Sequence, residues 1–237
     1  MLAIIAARGG SKRLPRKNIK LLAGKPLLAY GLDAALRASS VDRVIVTTDD
    51  EEIAEVARKY GADVPFLRPA ELATDTITAR AACLHVVDWL KENEGKEITS
   101  FVQLQPTSPF ITSQEVDGVV NGFKESGASA AVAITRDAPH IEGVCNQDKN
   151  GFVTPVLKAQ YGVEPTIVPS QMHGPRVLIA GSIVVLKPEK LRENVNYLFS
   201  GVEVLGVEVS ADRNVDIDTE RDFRYAEWLM SEDNLQD

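Results

Sequence analysis

The residues best suited to chemistry lie at the start of the chain. Directly after an apolar stretch, Leu2 to Ala7, come Arg8, Gly9, Gly10, Ser11, Lys12, Arg13, Leu14, Pro15, Arg16, Lys17 and Asn18. This short segment holds five of the 26 Lys and Arg residues. A basic, glycine-bearing loop at the carboxyl end of a strand lies where open α/β sheets receive ligands, and its composition suits a polyphosphate. Gly9 and Gly10 let backbone N–H groups approach an anion closely. Arg8, Lys12 and Lys17 can supply positive charge as pyrophosphate leaves. The spacing is neither Gly-x-x-x-x-Gly-Lys-Ser/Thr nor Gly-x-Gly-x-x-Gly, which disfavours a P-loop NTPase and an ordinary nicotinamide oxidoreductase. The same charge run also reads as a solvated basic turn.

A second constellation is Asn214-Val215-Asp216-Ile217-Asp218-Thr219. Strand-like alternation points Asp216 and Asp218 to one side, where two carboxylates could hold Mg²⁺ on a triphosphate. The competing reading makes Asp218 or Thr219 the N-cap of a final helix and leaves Asp216 facing solvent. Gln105 stands where a strand ends, before the stiff Pro106-Thr107-Ser108-Pro109 loop, and could orient a ligand or simply mark the strand exit. Arg68 precedes a loop containing Asp75 and Thr76, either of which could cap the next helix; taken individually, capping is the stronger reading for both. His85 falls on a helix and His140 and His173 in an irregular stretch, which argues against a zinc site or a histidine-based triad.

These groups need a scaffold, and the apolar pattern supplies one. Strand-length runs at Leu2 to Ala7, Val44 to Thr48, Phe101 to Gln105 and Ala130 to Thr135 alternate with helix-period segments at Leu27 to Leu36, Ile53 to Tyr60, Thr78 to Lys91 and the stretch carrying Val116, Val119, Val120 and Phe123. Such alternation predicts βαβ units on a parallel sheet. Thr112 and Glu115 read as a capping box. From about 138 to 175 prolines, glycines and polar residues break the rhythm, which predicts an inserted hairpin-rich lobe. Regular structure resumes with Val177 to Leu186 and Val202 to Val209 and ends in a helix from Thr219 to Met230. The 237 residues, 44% of them hydrophobic, suffice for one α/β domain with such an insertion.

The formal net charge of −8 argues against nucleic acid or an anionic membrane as the main partner, so an anionic ligand must meet a local basic cluster. No run approaches the roughly 18 apolar residues of a spanning helix. The opening MLAIIAARGG lacks the charged start of a signal peptide, and Cys83 and Cys145 are too few for a disulfide framework. A cytoplasmic location is therefore expected, with both cysteines buried or half-buried.

With these motifs in place, the sequence resembles the acylneuraminate cytidylyltransferase family, which includes the CMP-sialic acid synthetases and their pseudaminate and legionaminate relatives. The resemblance is carried by IIAARGGSKRLPRKNIKLLAGKPL, by VDRVIVTTDDEEIAEVARKYGADVPFLRPAELATDT, by LQPTSP and by VDIDT. It implies a Rossmann-like α/β fold, a mostly parallel sheet flanked by helices, whose inserted lobe exchanges across a homodimer. Arg8, Ser11, Lys12, Lys17 and Asn18 fall at positions that bind the phosphates and cytidine of CTP, and Gly9, Gly10, Arg68 and Thr76 complete the expected nucleotide-binding set. Asp216 and Asp218 match metal-associated carboxylates, and Gln105, Gln171 and Arg176 are the expected acceptor contacts. The implied reaction is in-line attack by the anomeric hydroxyl of a 2-keto-3-deoxy sugar acid on the α-phosphorus of CTP. Mg²⁺ is the expected cofactor.

The match weakens where the sugar acid binds. Sialate-using members carry an Arg-Arg-Gln-like or Pro-Arg-Gln segment before Asn-Gly-Ala, whereas this chain has Pro169-Ser170-Gln171 before Ala180-Gly181-Ser182. Phe110-Ile111 replaces the family's Leu-Arg, leaving Arg176 as a shifted substitute for a carboxylate-binding arginine. Ser11-Lys12-Arg13, Pro-Thr-Ser-Pro-Phe and Ala180-Gly181 are closer to the pseudaminate-type branch. Competing readings are a nucleotidyltransferase for another sugar acid, a sugar phosphate or a phosphonate, and a non-catalytic sugar-nucleotide binder. Pyrophosphate release from CTP with different acceptors separates them.

Overall fold

A computed structural model describes residues 1–136, 141, 144–162, 176–194, 196, 198, 200 and 202–231. The chain divides into two compact units, Met1–Ile134 with Ile179–Asp237, and Thr135–Leu178.

The larger unit is built on a six-stranded sheet. Its strands are β1 (Leu2–Ala6), β4 (Arg43–Thr47), β5 (Phe101–Leu104), β6 (Ala130–Thr135), β9 (Leu178–Leu186) and β10 (Val204–Glu208), in the order β10-β6-β9-β5-β1-β4. A small hairpin, β2 (Leu21–Leu22) with β3 (Lys25–Pro26), lies outside the sheet. β1 pairs in parallel with both β4 and β5, and β10 with β6, while β9 runs antiparallel to β5. A mostly parallel sheet flanked by helices is the expected class; the antiparallel β9 in its middle is an addition that periodicity alone does not reveal.

Strand alternation decides which helices cover which face. Ala3, Ile5, Val44, Val46, Val102 and Leu104 point to one side, against α1 (Leu27–Arg37), α2 (Glu51–Lys59) and α4 (Ser113–Ser126). Leu2, Ile4, Ile45, Phe101 and Val184 point to the other, against α3 (Ala79–Glu94), whose Cys83, Val86, Val87 and Leu90 form the buried stripe, and α6 (Pro188–Glu193), which adds Leu191. The capping box at the start of α4 forms as expected: the Thr112 hydroxyl accepts from Glu115 N–H, and the Glu115 carboxylate accepts from Thr112 N–H.

A third apolar cluster matters most for the site. Leu14, Leu22, Leu27, Phe110 and Ile217 pack with Phe223 and Ala226 of α7 (Glu220–Ser231). Leu14 belongs to the basic loop and Ile217 sits between the two aspartates, so a single apolar nucleus pins both segments. Fully burying a side chain such as Ile217 is worth about 1.5–3 kcal/mol. Phe110 and Ile111 are both buried, so this stretch supplies packing instead of the family's arginine.

The Thr135–Leu178 unit carries a hairpin of β7 (Cys145–Gln147) and β8 (Val153–Pro155), followed by α5 (Val156–Tyr161). The Asp148 carboxylate accepts from the N–H groups of Asn150 and Phe152 and closes the turn. Cys83 is buried as expected, and withdrawal from water pushes its thiol up to about 12. Cys145 is instead exposed, because its strand has little covering it. Among the described residues no helix is long and apolar enough to cross a membrane.

Candidate active site

The loop leaving β1 is held from three directions. The Asn18 side-chain amide donates to the Arg8 carbonyl at 2.9 Å, which draws the two ends of the loop together. Asn18 is buried, and its Oδ1 has no protein partner, although the residue lines a cavity. Leu14 anchors the middle in the apolar cluster, and Arg16 turns the chain with a left-handed φ of 57°. The third hold comes from Asp49 and Asp50 at the end of β4. Asp49 accepts the Gly9 N–H at 3.1 Å, and Asp50 caps α2 through Ile53 N–H while pairing with Arg16. Burial alone would raise the Asp50 carboxyl, but Arg16 and the Ile53 N–H outweigh it and hold it below its ordinary value.

Gly9 is required by space. A Cβ there would lie 2.6 Å from Asp50 Oδ2, and that carboxylate is fixed by its cap and its arginine. Gly9→Ala is therefore expected to lift the loop off Asp49, weakening the binding of a polyphosphate ligand about tenfold while costing about 1–3 kcal/mol of stability as an overpacked site. Calorimetric titration with inorganic pyrophosphate beside thermal unfolding checks both. Gly10 has open space around it, so its expected close approach is not imposed by the protein.

Lys12 and Arg13 remain exposed, with side chains 78% and 68% accessible, so the basic run is partly solvated as well as gathered round a cavity. Arg8, Lys12, Arg13 and Lys17 all line one cavity of about 270 Å³, with Ser11, Asn18, Gln103, Gln105, Thr107 and Asp218. Lys17 Nζ and Arg13 Nη2 each lie 2.8 Å from the Asp218 carboxylate, one on each oxygen. Arg8 Nη1 lies 2.8 Å from Asp75, and Lys12 pairs with the other oxygen of the same carboxylate. This corrects the capping expectation for Asp75 and Thr76. Thr78 caps α3 by accepting from Ala81 N–H, and Asp75 is left to meet the basic loop.

The 214–218 segment corrects a second expectation. It is not a strand, so alternation does not place its side chains. Ile217 is buried and donates its N–H to the Thr107 carbonyl at 2.9 Å, while the Thr107 hydroxyl donates to Asp216. Thr219 exchanges hydrogen bonds with Asp222 and caps α7, so Asp218 is not needed as a cap. Lys17 and then Arg13 hold the Asp218 carboxyl below its ordinary value despite some burial. Asp216 is exposed, with the Thr107 hydroxyl on its carboxylate. Loss of water around it pushes its carboxyl up, Thr107 opposes this, and the nearby Asp218 charge adds to it.

Gln105 stands at the cavity wall. Its N–H donates to the Ser182 carbonyl at 3.0 Å, and its amide oxygen lies 3.3 Å from the Thr107 hydroxyl, whose proton goes to Asp216. Gly181, at φ 73°, passes so close that a Cβ would lie 3.3 Å from the Gln105 amide nitrogen. Arg68 is buried, lies 3.5 Å from Asp49 and has an Nε without a protein partner. Burial pushes its guanidinium below the ordinary value, which Asp49 opposes. Thr76 is exposed beside Thr74 and is not part of the cavity wall. Arg176 belongs to the Thr135–Leu178 unit, and Gln171, His140 and His173 lie outside the described residues.

Five residues join the set that sequence reasoning left out: Arg13, Asp49, Asp75, Gln103 and Thr107. Arg13 was visible within the basic run, and the Asp49-Asp50 pair stands at a strand's carboxyl end, where ligands bind. Asp75 was marked only as a possible helix cap, and nothing local marked Gln103.

A cytidylyltransferase family profile matches residues 2–169. The CMP-N,N'-diacetyllegionaminic acid synthase of Legionella pneumophila is 35% identical over 97% of this chain and 96% of that protein. The pseudaminic acid cytidylyltransferase of Campylobacter jejuni is 49% identical over 56% of this chain and 57% of that protein. In fold, the chain resembles the solved structure of CMP:2-keto-3-deoxy-manno-octonic acid synthetase complexed with CTP, with a TM-score of 0.72, 98% of both chains covered and 18% identity. On the strength of the profile and a relative matched along nearly its whole length, the chain belongs to the cytidylyltransferase family.

Proposed function

We propose that this protein transfers CMP from CTP to the anomeric hydroxyl of a nonulosonic, sialic-acid-like sugar acid and releases pyrophosphate. The observation that carries the reading is one cavity in which Arg8, Lys12, Arg13 and Lys17 stand together with Asp218, in a chain matched end to end by a CMP-legionaminic acid synthase. Four cations suit the triphosphate of CTP and the charge that grows on the departing pyrophosphate. Asn18 Oδ1, buried and without a protein partner, offers an acceptor to a donor group of the nucleotide. Gln105, held by Ser182, is placed to orient the bound ligand.

Mg²⁺ is the cofactor of this reading. Asp216 and Asp218 offer hard oxygen donors on either side of the buried Ile217, and Asp218 would exchange Lys17 or Arg13, now one on each oxygen, for the ion. No group of three or more His, Cys, Asp or Glu suited to a metal occurs among the described residues. Mg²⁺ is commonly held by one or two carboxylates plus water and substrate phosphates, so the pair fits. Bound there, the ion would neutralise phosphate charge as a Lewis acid. The protein's own part is alignment: Thr107 and the buried Ile217 fix the two aspartates, and Asn18 closes the cationic loop.

The working form is a cytoplasmic homodimer. Its support is the Thr135–Leu178 unit, which exposes Ile141, Val144, Phe152 and Val153, with Phe152 74% exposed, an apolar surface suited to burial against a second copy. The acceptor is a legionaminate- or pseudaminate-type acid, because enzymes for both are among the relatives and because Pro169-Ser170-Gln171 stands where sialate-using members carry an arginine before the glutamine.

Pyrophosphate release with CTP and Mg²⁺ tests the reading, offering legionaminate, pseudaminate, N-acetylneuraminate, a 3-deoxy-octulosonate and, as a different acceptor class, a sugar phosphate separately, with ATP, GTP and UTP as controls. Release is expected with CTP and one of the first two acids. Release with a sugar phosphate but none of these acids would assign a different acceptor class.

A further inference from the structure

Each of the four cations on the cavity wall is paired with a carboxylate: Lys17 and Arg13 with Asp218, Arg8 and Lys12 with Asp75. Asp218 belongs to the carboxylate pair assigned to the reaction; Asp75 has no such part. We propose that Asp75 is the resident counter-anion of the phosphate cradle, displaced from Arg8 and Lys12 by the nucleotide's polyphosphate and re-paired with them as pyrophosphate leaves. The inference rests on the reading of this loop as the triphosphate site.

The geometry is that of a substitute for phosphate. One Asp75 oxygen meets Arg8 Nη1 at 2.8 Å and the other meets Lys12, so a single anion bridges two cations, as a phosphate group does. Lys12 and then Arg8 hold the Asp75 carboxyl below its ordinary value, so it is charged at neutral pH. Asp75 reaches the loop from a surface turn between Pro69 and α3, closed by a 3.3 Å bond from Ile77 N–H to the Thr74 carbonyl. Its side chain is about half exposed.

Two consequences follow. Without a ligand, Asp75 relieves the repulsion between two neighbouring cations and keeps the loop in its binding shape. With a ligand, the same carboxylate competes with the phosphates, and exposed ion pairs are weak enough to be exchanged for a multiply charged anion. The competition lowers affinity for CTP and for pyrophosphate alike, and it favours product release.

The test is calorimetric binding of inorganic pyrophosphate to the full chain, in parallel with CTP turnover, for the parent, Asp75→Asn, Asp75→Ser and Asp75→Glu. Two neutral variants are used so that a folding defect in one does not decide the result. Both should bind pyrophosphate about three- to tenfold more tightly than the parent, while Asp75→Glu should return towards it. Equal or weaker binding by both neutral variants, with the parent still turning over CTP, would overturn the counter-anion role and leave the cradle reading standing. Absence of pyrophosphate binding and of CTP turnover throughout would overturn both.

Discussion

Asp218→Asn is expected to lower kcat with CTP by about 100-fold or more, the scale set by losing one fixed charge-stabilising group from a transition state. Asparagine keeps the size of the side chain and one acceptor oxygen. It removes the charge that holds Lys17 and Arg13, each 2.8 Å away, and it halves the carboxylate pair assigned to the metal. The fold should persist, because the nucleus beside it consists of Ile217, Leu14 and Phe223, and because Thr219 caps α7 without Asp218. Turnover as a function of Mg²⁺ concentration, beside a thermal melt, measures both. Near-normal turnover with unchanged Mg²⁺ dependence would remove Asp218 from the metal role.

Lys17→Ala should reduce kcat by about 100-fold with a smaller change in KM, because charge on the departing pyrophosphate grows towards the transition state. Lys17 is the most enclosed of the four cavity cations, with its side chain only 12% exposed, so water cannot readily replace it. Arg13 still neutralises Asp218 in the variant, and thermal stability should change little. Lys17→Arg should recover only part of the rate, since a planar guanidinium does not reproduce a compact ammonium in a fitted wall. A rise in KM at unchanged kcat would instead make Lys17 a ground-state binding residue.

The elements that sequence located well are those with strong period. α1, α3, α4 and α7 begin and end within a few residues of their apolar pattern, and β6 spans the expected Ala130–Thr135. The β2–β3 hairpin escaped because its strands are two residues long and its turn relies on positive φ at Ala23 and Gly24. The place of β9 escaped because strand order is fixed by packing between distant segments.

Within the site, the types of residue were legible and their pairings were not. The basic loop, Gln105 and the two aspartates could be singled out because their composition is unusual for their positions. The partners that hold them lie far along the chain: Arg8 meets Asp75 across 67 residues, and Arg13 meets Asp218 across 205. The alternation argument for Asp216 and Asp218 named two residues that do stand near one another, but for the wrong reason. What places them is the burial of Ile217 and the grip of Thr107, both set by tertiary contacts. Asp75 was assigned to a cap because helix-start chemistry is local, whereas its cationic partners come from the first loop.

The most direct test of the central claim is to identify the product. Purified protein is incubated with CTP, Mg²⁺ and a legionaminate- or pseudaminate-type acid, and the mixture is resolved by mass spectrometry. The account expects a CMP ester of the acid formed in equal amount with pyrophosphate, and only when CTP and the acid are both present. CTP bound yet unchanged with every acid, or hydrolysed to free CMP without an ester, would contradict it.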